Sequence, residues 1–304
     1  MRAGMVVGRS DSGARHAAGA APGAGDTLGN YRLECLIGSG ATAEVWRAVD
    51  LAGGATVALK RMPLGAGDTL LRERFAAEAA AARRLEHPDI ARVLAAGVDG
   101  GTGWIAMELL PGVPLDRHTR PGHLLPMAHA VAVGARVAAA LAHAHSQGVV
   151  HRDVKPANVM IDAASGRVAL TDFGVASLVD GERTRTGLML GTPAYMAPEL
   201  LAGGPASAAT DLYAFGVLLF ELLAGRRPHE AATLGELLRR VATEAAPPLA
   251  GLRPEVPTAA ATLVAALLAR APAERPRSAA DVAALLRRTA LEMQPAGGGP
   301  KSRP

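Results

Sequence analysis

His151-Arg152-Asp153-Val154-Lys155-Pro156-Ala157-Asn158, followed downstream by Asp172-Phe173-Gly174, is the stretch on which the reading of this chain turns. Each segment reads as a loop beside a short apolar run, and together they suit one chemistry. Asp153 is a carboxylate that can accept a hydroxyl proton, while Asn158 and Asp172 offer the hard oxygen atoms that magnesium prefers. The competing reading makes them polar turn residues that cap helices. Six specified residues at background usage would match by chance somewhere in such a chain with a probability on the order of 10⁻⁵ or below. The turn reading is not competitive.

Upstream, Ile37-Gly38-Ser39-Gly40-Ala41-Thr42-Ala43-Glu44-Val45 lies between two β-like runs. Glycines let backbone N–H groups approach a ligand and form an anion-binding concavity. Taken alone, the segment reads at least as well as a tight hairpin turn. It lacks the Lys-Ser/Thr ending of a P-loop and a strand follows it, so neither a Walker nor a Rossmann reading fits well. In Val57-Ala58-Leu59-Lys60, strand alternation puts Ala58 and Lys60 on one face. Leu71, Phe75, Glu78, Ala82 and Leu85, at spacings of 4, 3, 4 and 3, share one helix face with a carboxylate inside the apolar stripe. A charge there is costly unless paired. Lys60 is the candidate partner; the alternative is that Glu78 sits at the stripe's edge and reaches water. Lys60 is also a point charge suited to neutralising phosphate oxygens.

Around these motifs the chain reads as tail, domain, tail. Its 304 residues are enough for one large two-lobed domain. With 49% hydrophobic and 20% charged residues it is not disordered throughout. Only 2 Trp, 3 Tyr and 4 Phe are present, which argues against a single-strand nucleic-acid binder that needs stacking rings. One cysteine cannot form an internal disulfide, and a net charge of +4 is too weak to name a polyanionic partner. Residues 1–29 read as a flexible leader and 292–304 as a disordered tail. Between them, short β-like runs from Tyr31 to about Leu110, interrupted by one helical stretch around Leu70–Leu85, give way from Pro126 to helical periodicity. The layout is α+β and bilobal, with a small antiparallel β-sheet lobe at 30–108 carrying one key helix, a connector at 108–113 and a larger, mainly helical lobe at 114–291. The greasy stretches Leu212–Leu223 and Val256–Ala269 fall short of the roughly 20 residues that cross a bilayer, and no secretory signal is read at the N-terminus. No membrane span and a cytoplasmic location are expected. His143 and His145 lie two apart in a helix, the wrong spacing for shared metal ligation.

On its motifs the chain resembles the eukaryotic-type (Hanks-type) serine/threonine protein kinases over about Tyr31–Leu291, with an Ala-rich texture similar to bacterial members. The resemblance implies ATP and Mg²⁺ (or Mn²⁺) as cofactors, with Gly38, Ser39 and Gly40 in the loop over ATP. It implies Lys60 on the α- and β-phosphates, paired with Glu78, and Asp153 as catalytic base. Asn158 and Asp172 would then be metal ligands, with Lys155 steadying the transferred phosphoryl group. Ile37, Val45, Ala58, Met107 and Met160 would line the adenine slot, with backbone hydrogen bonds from Glu108 and Leu110. Lys155 matches the serine/threonine class. Ala197-Pro198-Glu199, Asp211 and Arg275 fall where the family has its APE element and two buried structural charges, with Arg275 expected on Glu199. Gly191-Thr192 matches the segment beside the catalytic loop. The chain departs from the pattern at Ala43, in place of the third loop glycine, and at Leu59, in place of isoleucine.

The implied reaction is transfer of the ATP γ-phosphoryl group to Ser/Thr hydroxyls of proteins, with no nucleic-acid partner. Thr184 and Thr186 stand where such kinases autophosphorylate, and Arg152 could pair with a phosphate there. Pairing of two chains through the smaller lobe is left open. Two rival readings are a non-catalytic ATP-binding scaffold, against which the intact Asp153, Asn158 and Asp172 argue, and a small-molecule phosphotransferase. The latter would not be expected to carry Lys155 followed by Ala197-Pro198-Glu199.

Overall fold

Apolar alternation builds the smaller lobe, as the computed structural model shows; it describes residues 23–40, 42–65, 68–173 and 193–294. Six strands form one antiparallel sheet: β1 (Thr27–Leu28), β2 (Tyr31–Ser39), β3 (Glu44–Asp50), β4 (Thr56–Pro63), β5 (Val93–Asp99) and β6 (Thr102–Glu108), in the order β1-β2-β3-β4-β6-β5. Central β4 is buried on both faces. Ala58 and Met62 pack with Ile105, Met107, Leu71 and Phe75 on one side, while Val57 and Leu59 pack with Tyr31, Leu33, Trp46 and Ala106 on the other. Helix α1 (Thr69–Ala82) covers the first side through Leu71, Phe75, Ala79 and Ala82, and Asp68 caps it by accepting the Leu71 N–H at 2.8 Å.

The sheet begins earlier than the expected boundary at residue 30. Thr27 and Leu28 pair with Arg32 and Tyr31, and the Gly25 N–H donates to the Leu33 carbonyl at 2.8 Å. The end of the expected leader is thus a strand. Gly29, at φ 57°, makes this turn under the Trp104 ring, where a Cβ would lie 2.7 Å from the ring carbons.

The chain leaves the sheet at Glu108 and re-enters regular structure at β7 (Val113–Pro114), which pairs with β8 (Val159–Asp162) and then β9 (Arg167–Leu170). Gly112 makes that crossing. Its φ is 94°, and a Cβ there would lie 2.1 Å from the Ile161 carbonyl oxygen. The lobes are stitched beyond the connector too, since the Ala91 N–H donates to the Leu170 carbonyl at 2.9 Å and the Leu170 N–H to the Asp89 carbonyl at 2.8 Å.

The larger lobe is built on α2 (Met127–Ser146), α3 (Pro198–Leu201), α4 (Ala208–Ala224), α5 (Leu234–Thr243), α6 (Leu249–Leu252), α7 (Thr258–Leu267) and α8 (Ala279–Glu292). Helix α4 is buried along nearly its whole length and stops at Gly225 in the left-handed conformation. The greasy stretch Val256–Ala269 serves as core: Val256, Ala260, Leu263, Val264 and Leu267 are buried. Helix α2, missed among the greasy stretches because His and Arg interrupt it, is long and apolar enough to cross a bilayer by length and composition. Here it packs against α8 and α4, with Val131, Val137, Ala138 and Leu141 fully buried in the lobe's core.

Candidate active site

The catalytic-type loop is shaped by hydrogen bonds from behind. Asp211, 1% exposed on α4, accepts the backbone N–H of His151 at 2.7 Å and of Arg152 at 2.8 Å, and contacts His145 Nε2 at 2.8 Å. This holds Arg152 at φ 69°, a left-handed conformation that costs a residue with a side chain about 1–3 kcal/mol. His151, fully buried, donates from Nε2 to the Thr171 carbonyl at 2.8 Å and accepts the Asp153 N–H at Nδ1, 3.2 Å away. These two bonds specify the neutral Nε2–H tautomer. The ring also rests on Phe173, with centroids 4.5 Å apart.

In front, the functional side chains converge. Asn158 Nδ2 donates to the Asp153 carbonyl at 2.8 Å and to Asp153 Oδ2 at 2.9 Å. Lys155 Nζ lies 2.7 Å from the same Oδ2. The Thr171 N–H donates to the Asn158 carbonyl at 2.8 Å, so Asp172 follows directly beside the loop at φ 64°. Lys60, 6% exposed on β4, reaches Asp172 Oδ1 at 2.8 Å. Burial works to raise the Asp172 carboxyl, but the charge and hydrogen bond of Lys60, with Lys155 nearby, outweigh it and hold the group below the ordinary aspartate range.

One expected pair is not formed. Lys60 is bound to Asp172 rather than to Glu78, and Glu78 instead contacts the Arg152 guanidinium. The physical reason lies in the helix. Ala79 takes the buried place in the stripe of α1, and Glu78 sits at its half-buried edge, turned to the catalytic loop rather than to β4. Burial pushes the Glu78 carboxyl up, with Arg152 only partly offsetting it, and Oε2 is buried without a hydrogen-bond partner.

Above the loop is a cleft of about 450 Å³, within the range of small-molecule sites. Ile37, Gly38, Val45, Ala58, Met107, Glu108, Leu110, Met160 and Asp172 line it, all singled out in the sequence. Ser39 and Gly40 do not: they line a neighbouring cavity of about 230 Å³ with Thr42, Ala43 and Arg61. Sequence reasoning missed Leu109, Gly112, Pro114, Ala157 and Thr171 in the cleft wall. Pro114 stands opposite Met160 through a two-residue strand too short to leave a period in the sequence. Gly174, Thr184, Thr186, Gly191 and Thr192 lie outside the described residues. Arg275 meets Glu199 with Nη1–Oε1 at 2.6 Å and Nη2–Oε2 at 2.8 Å, as expected, its guanidinium 5.0 Å from the Tyr213 ring.

The donor set suits a hard divalent cation. Asn158 commits Nδ2 to Asp153, which leaves Oδ1 as the atom that could ligate a cation, and Asp172 is kept ionised. Magnesium is commonly bound by one or two such groups plus substrate phosphates rather than by a full protein cage. Among the described residues no cluster of three or more His, Cys, Asp or Glu forms a separate metal site.

A sheet lobe thus lies over a helical lobe, with this cleft between them. The chain belongs to the protein kinase domain family, whose model matches residues 31–285. It is 42% identical over 252 residues to the serine/threonine-protein kinase PkaB of Streptomyces coelicolor, covering 80% of this chain and 59% of that one. It is 38% identical over 260 residues to the serine/threonine-protein kinase PknA of Mycobacterium tuberculosis, covering 83% and 59%. The chain thus spans 59% of the length of these curated relatives. Among solved structures, the kinase domain of Mycobacterium tuberculosis PknI is similar at 31% identity and TM-score 0.70, covering 88% of this chain and 99% of that one. Rad53 1-466 in complex with AMP-PNP, at 23% identity and TM-score 0.71 over 86% and 65%, shares the fold.

Proposed function

We propose that this chain is a serine/threonine protein kinase that transfers the γ-phosphoryl group of ATP to Ser/Thr hydroxyls of proteins. The observation that carries this is the set of contacts that joins Lys60 to Asp172, in the cleft wall, and Lys155 and Asn158 to Asp153 on the adjoining loop. Asp153 orients the acceptor hydroxyl and takes its proton; Lys155, already on Asp153 Oδ2, steadies the moving phosphoryl group. Lys60 neutralises phosphate oxygens, and Asn158 and Asp172 hold the metal, Mg²⁺ or Mn²⁺. When bound, the metal supplies charge neutralisation on the phosphates. Met107, Ala58, Val45 and Met160 receive the adenine. Incubation with Mg·ATP, a panel of proteins and a panel of small alcohols tests the reading: label on protein Ser or Thr supports it, label on alcohols alone gives a small-molecule phosphotransferase, and no label anywhere gives a binding scaffold.

A cytoplasmic signalling role, a domain running over 30–291 with β1 added at its start, and autophosphorylation at Thr184 or Thr186 belong to the same proposal. Mass spectrometry after incubation with Mg·ATP tests the last; an active enzyme without phosphate at either threonine removes it. Leu51, Leu70 and Val98 are exposed on the smaller lobe, which is compatible with two chains pairing there, and sedimentation tests that.

A further inference from the structure

We infer that the ion pair between Glu108 and Arg167 is a positioning device for the nucleotide pocket, holding the connector in its binding shape. The inference rests on the reading of the cleft as a nucleotide site. Glu108 works on two sides. As a lining residue it borders the cleft. Its Oε1 accepts hydrogen bonds at 2.8 Å from two groups of different origin: the backbone N–H of Arg92, just before β5 in the smaller lobe, and Nη2 of Arg167, which opens β9 in the larger one. The Glu108 N–H returns a bond to the Arg92 carbonyl at 3.0 Å. One carboxylate oxygen therefore bridges the lobes at the residue where the chain leaves the sheet.

The far end of the connector is fixed on the same hairpin. Arg167 stands opposite Asp162, and the preceding Ile161 stands opposite Val113, with its carbonyl filling the space beside Gly112. The Arg167 backbone N–H is itself tied to Ser165 Oγ at 3.3 Å. Leu109 and Leu110, the cleft-lining residues between these two anchors, are thus spanned by the β8–β9 hairpin at both ends. A segment held in its bound shape before the ligand arrives loses less freedom on binding. The side chains of Arg167 and Glu108 are 36% and 22% exposed, so the pair is partly screened. That limits the effect to about two- to fivefold.

The test is Mg·ATP binding to the full chain by titration calorimetry for Arg167→Ala, Arg167→Lys, Glu108→Gln and the Arg167→Ala/Glu108→Gln double variant. Glu108→Gln keeps an acceptor for Arg92 and loses only the ion pair. The expected result is a Kd raised about two- to fivefold in Arg167→Ala and in Glu108→Gln, no further rise in the double variant, and recovery to within about twofold in Arg167→Lys. In turnover assays Arg167→Ala raises KM for ATP by the same factor and leaves kcat and the KM for protein substrate unchanged. Single variants that bind ATP like the parent, or effects that simply add in the double variant, overturn the inference. So does a lowered unfolding midpoint with unchanged Kd, which marks a structural staple. A parent that binds no ATP overturns the reading of the cleft as well, and phosphotransfer by the parent with insensitive variants removes this inference alone.

Discussion

The floor and the roof of the cleft are held by different means. On the floor, Asp153, Lys155 and Asn158 sit on a loop whose backbone is pinned by the buried Asp211 and His151, above a core of Leu, Val and Phe side chains. On the roof, α1 is anchored by Leu71 and Phe75 near its start, but beyond them only Ala79 and Ala82 are buried. A buried Leu or Phe is worth about 1.5–3 kcal/mol and a methyl group about 0.8. The half of α1 that carries Glu78 is therefore weakly held by packing, and ion pairs decide where it rests. That is why the floor is assembled while Lys60 and Glu78 hold other partners. An ion pair can be exchanged for another at small cost; a loop fixed by buried backbone donors cannot.

The contrast is broken most strongly at the floor. Asp153→Asn is expected to lower phosphotransfer by about 10²–10⁴-fold, the contribution of a positioned base. ATP binding should remain nearly unchanged, and an equal loss of ATP affinity in a calorimetric titration would contradict the role. One step behind, Asp211→Ala strands the N–H groups of His151 and Arg152 in a buried place. A loss of about 3–5 kcal/mol of stability is expected in urea unfolding, together with loss of activity. A change under about 1 kcal/mol would show that the loop holds its shape without that carboxylate.

The roof should respond differently. Glu78→Gln removes a charge that burial already disfavours, so stability should change by no more than about 1 kcal/mol. Phosphotransfer should nonetheless fall about 10–100-fold, the worth of a hydrogen bond to a charged group, if Glu78 exchanges Arg152 for Lys60 during the reaction. Full activity in Glu78→Gln would make the Arg152 contact its resting role and end the exchange.

The same contrast decides how much could be read from the sequence. Strand alternation placed Ala58 and Lys60 on the cleft face of β4, because a sheet buried on both sides forces a strict period of two. The floor was legible because its residues are consecutive and chemically specific, from His151 to Asn158. The partner of Glu78 was not, since the stripe in which it was read is closed by Ala79, and either residue fits a helical period beside Ala82. The tie from Glu108 to Arg167 spans residues far apart in sequence, and no sequence pattern links the two. Gly112 reads as an ordinary turn glycine until the Ile161 carbonyl is found beside it. The β1 strand is two residues long and leaves no periodic trace.

The smallest effect separates the two ion pairs by acid. Glu78 titrates above the ordinary glutamate value of 4.5, because burial raises it more than Arg152 lowers it. Asp172 titrates below the ordinary aspartate value of 3.8, because Lys60 more than offsets its burial. The signs are opposite. The folded protein binds the Glu78 proton more readily than the unfolded chain does, so this group's contribution to stability rises as pH falls through its folded value. Asp172 contributes stability above its unfolded value and loses it only as pH falls through the lower folded one. Acidification from neutrality toward 4.5 should therefore protonate Glu78 and loosen it from Arg152 while Lys60 and Asp172 stay joined. Carboxyl ¹³C resonances followed through that range, with Glu78→Gln and Asp172→Asn for assignment, measure both titrations. An Asp172 signal that moves before that of Glu78 would invert the order of the two pairs and place the weaker contact on the floor.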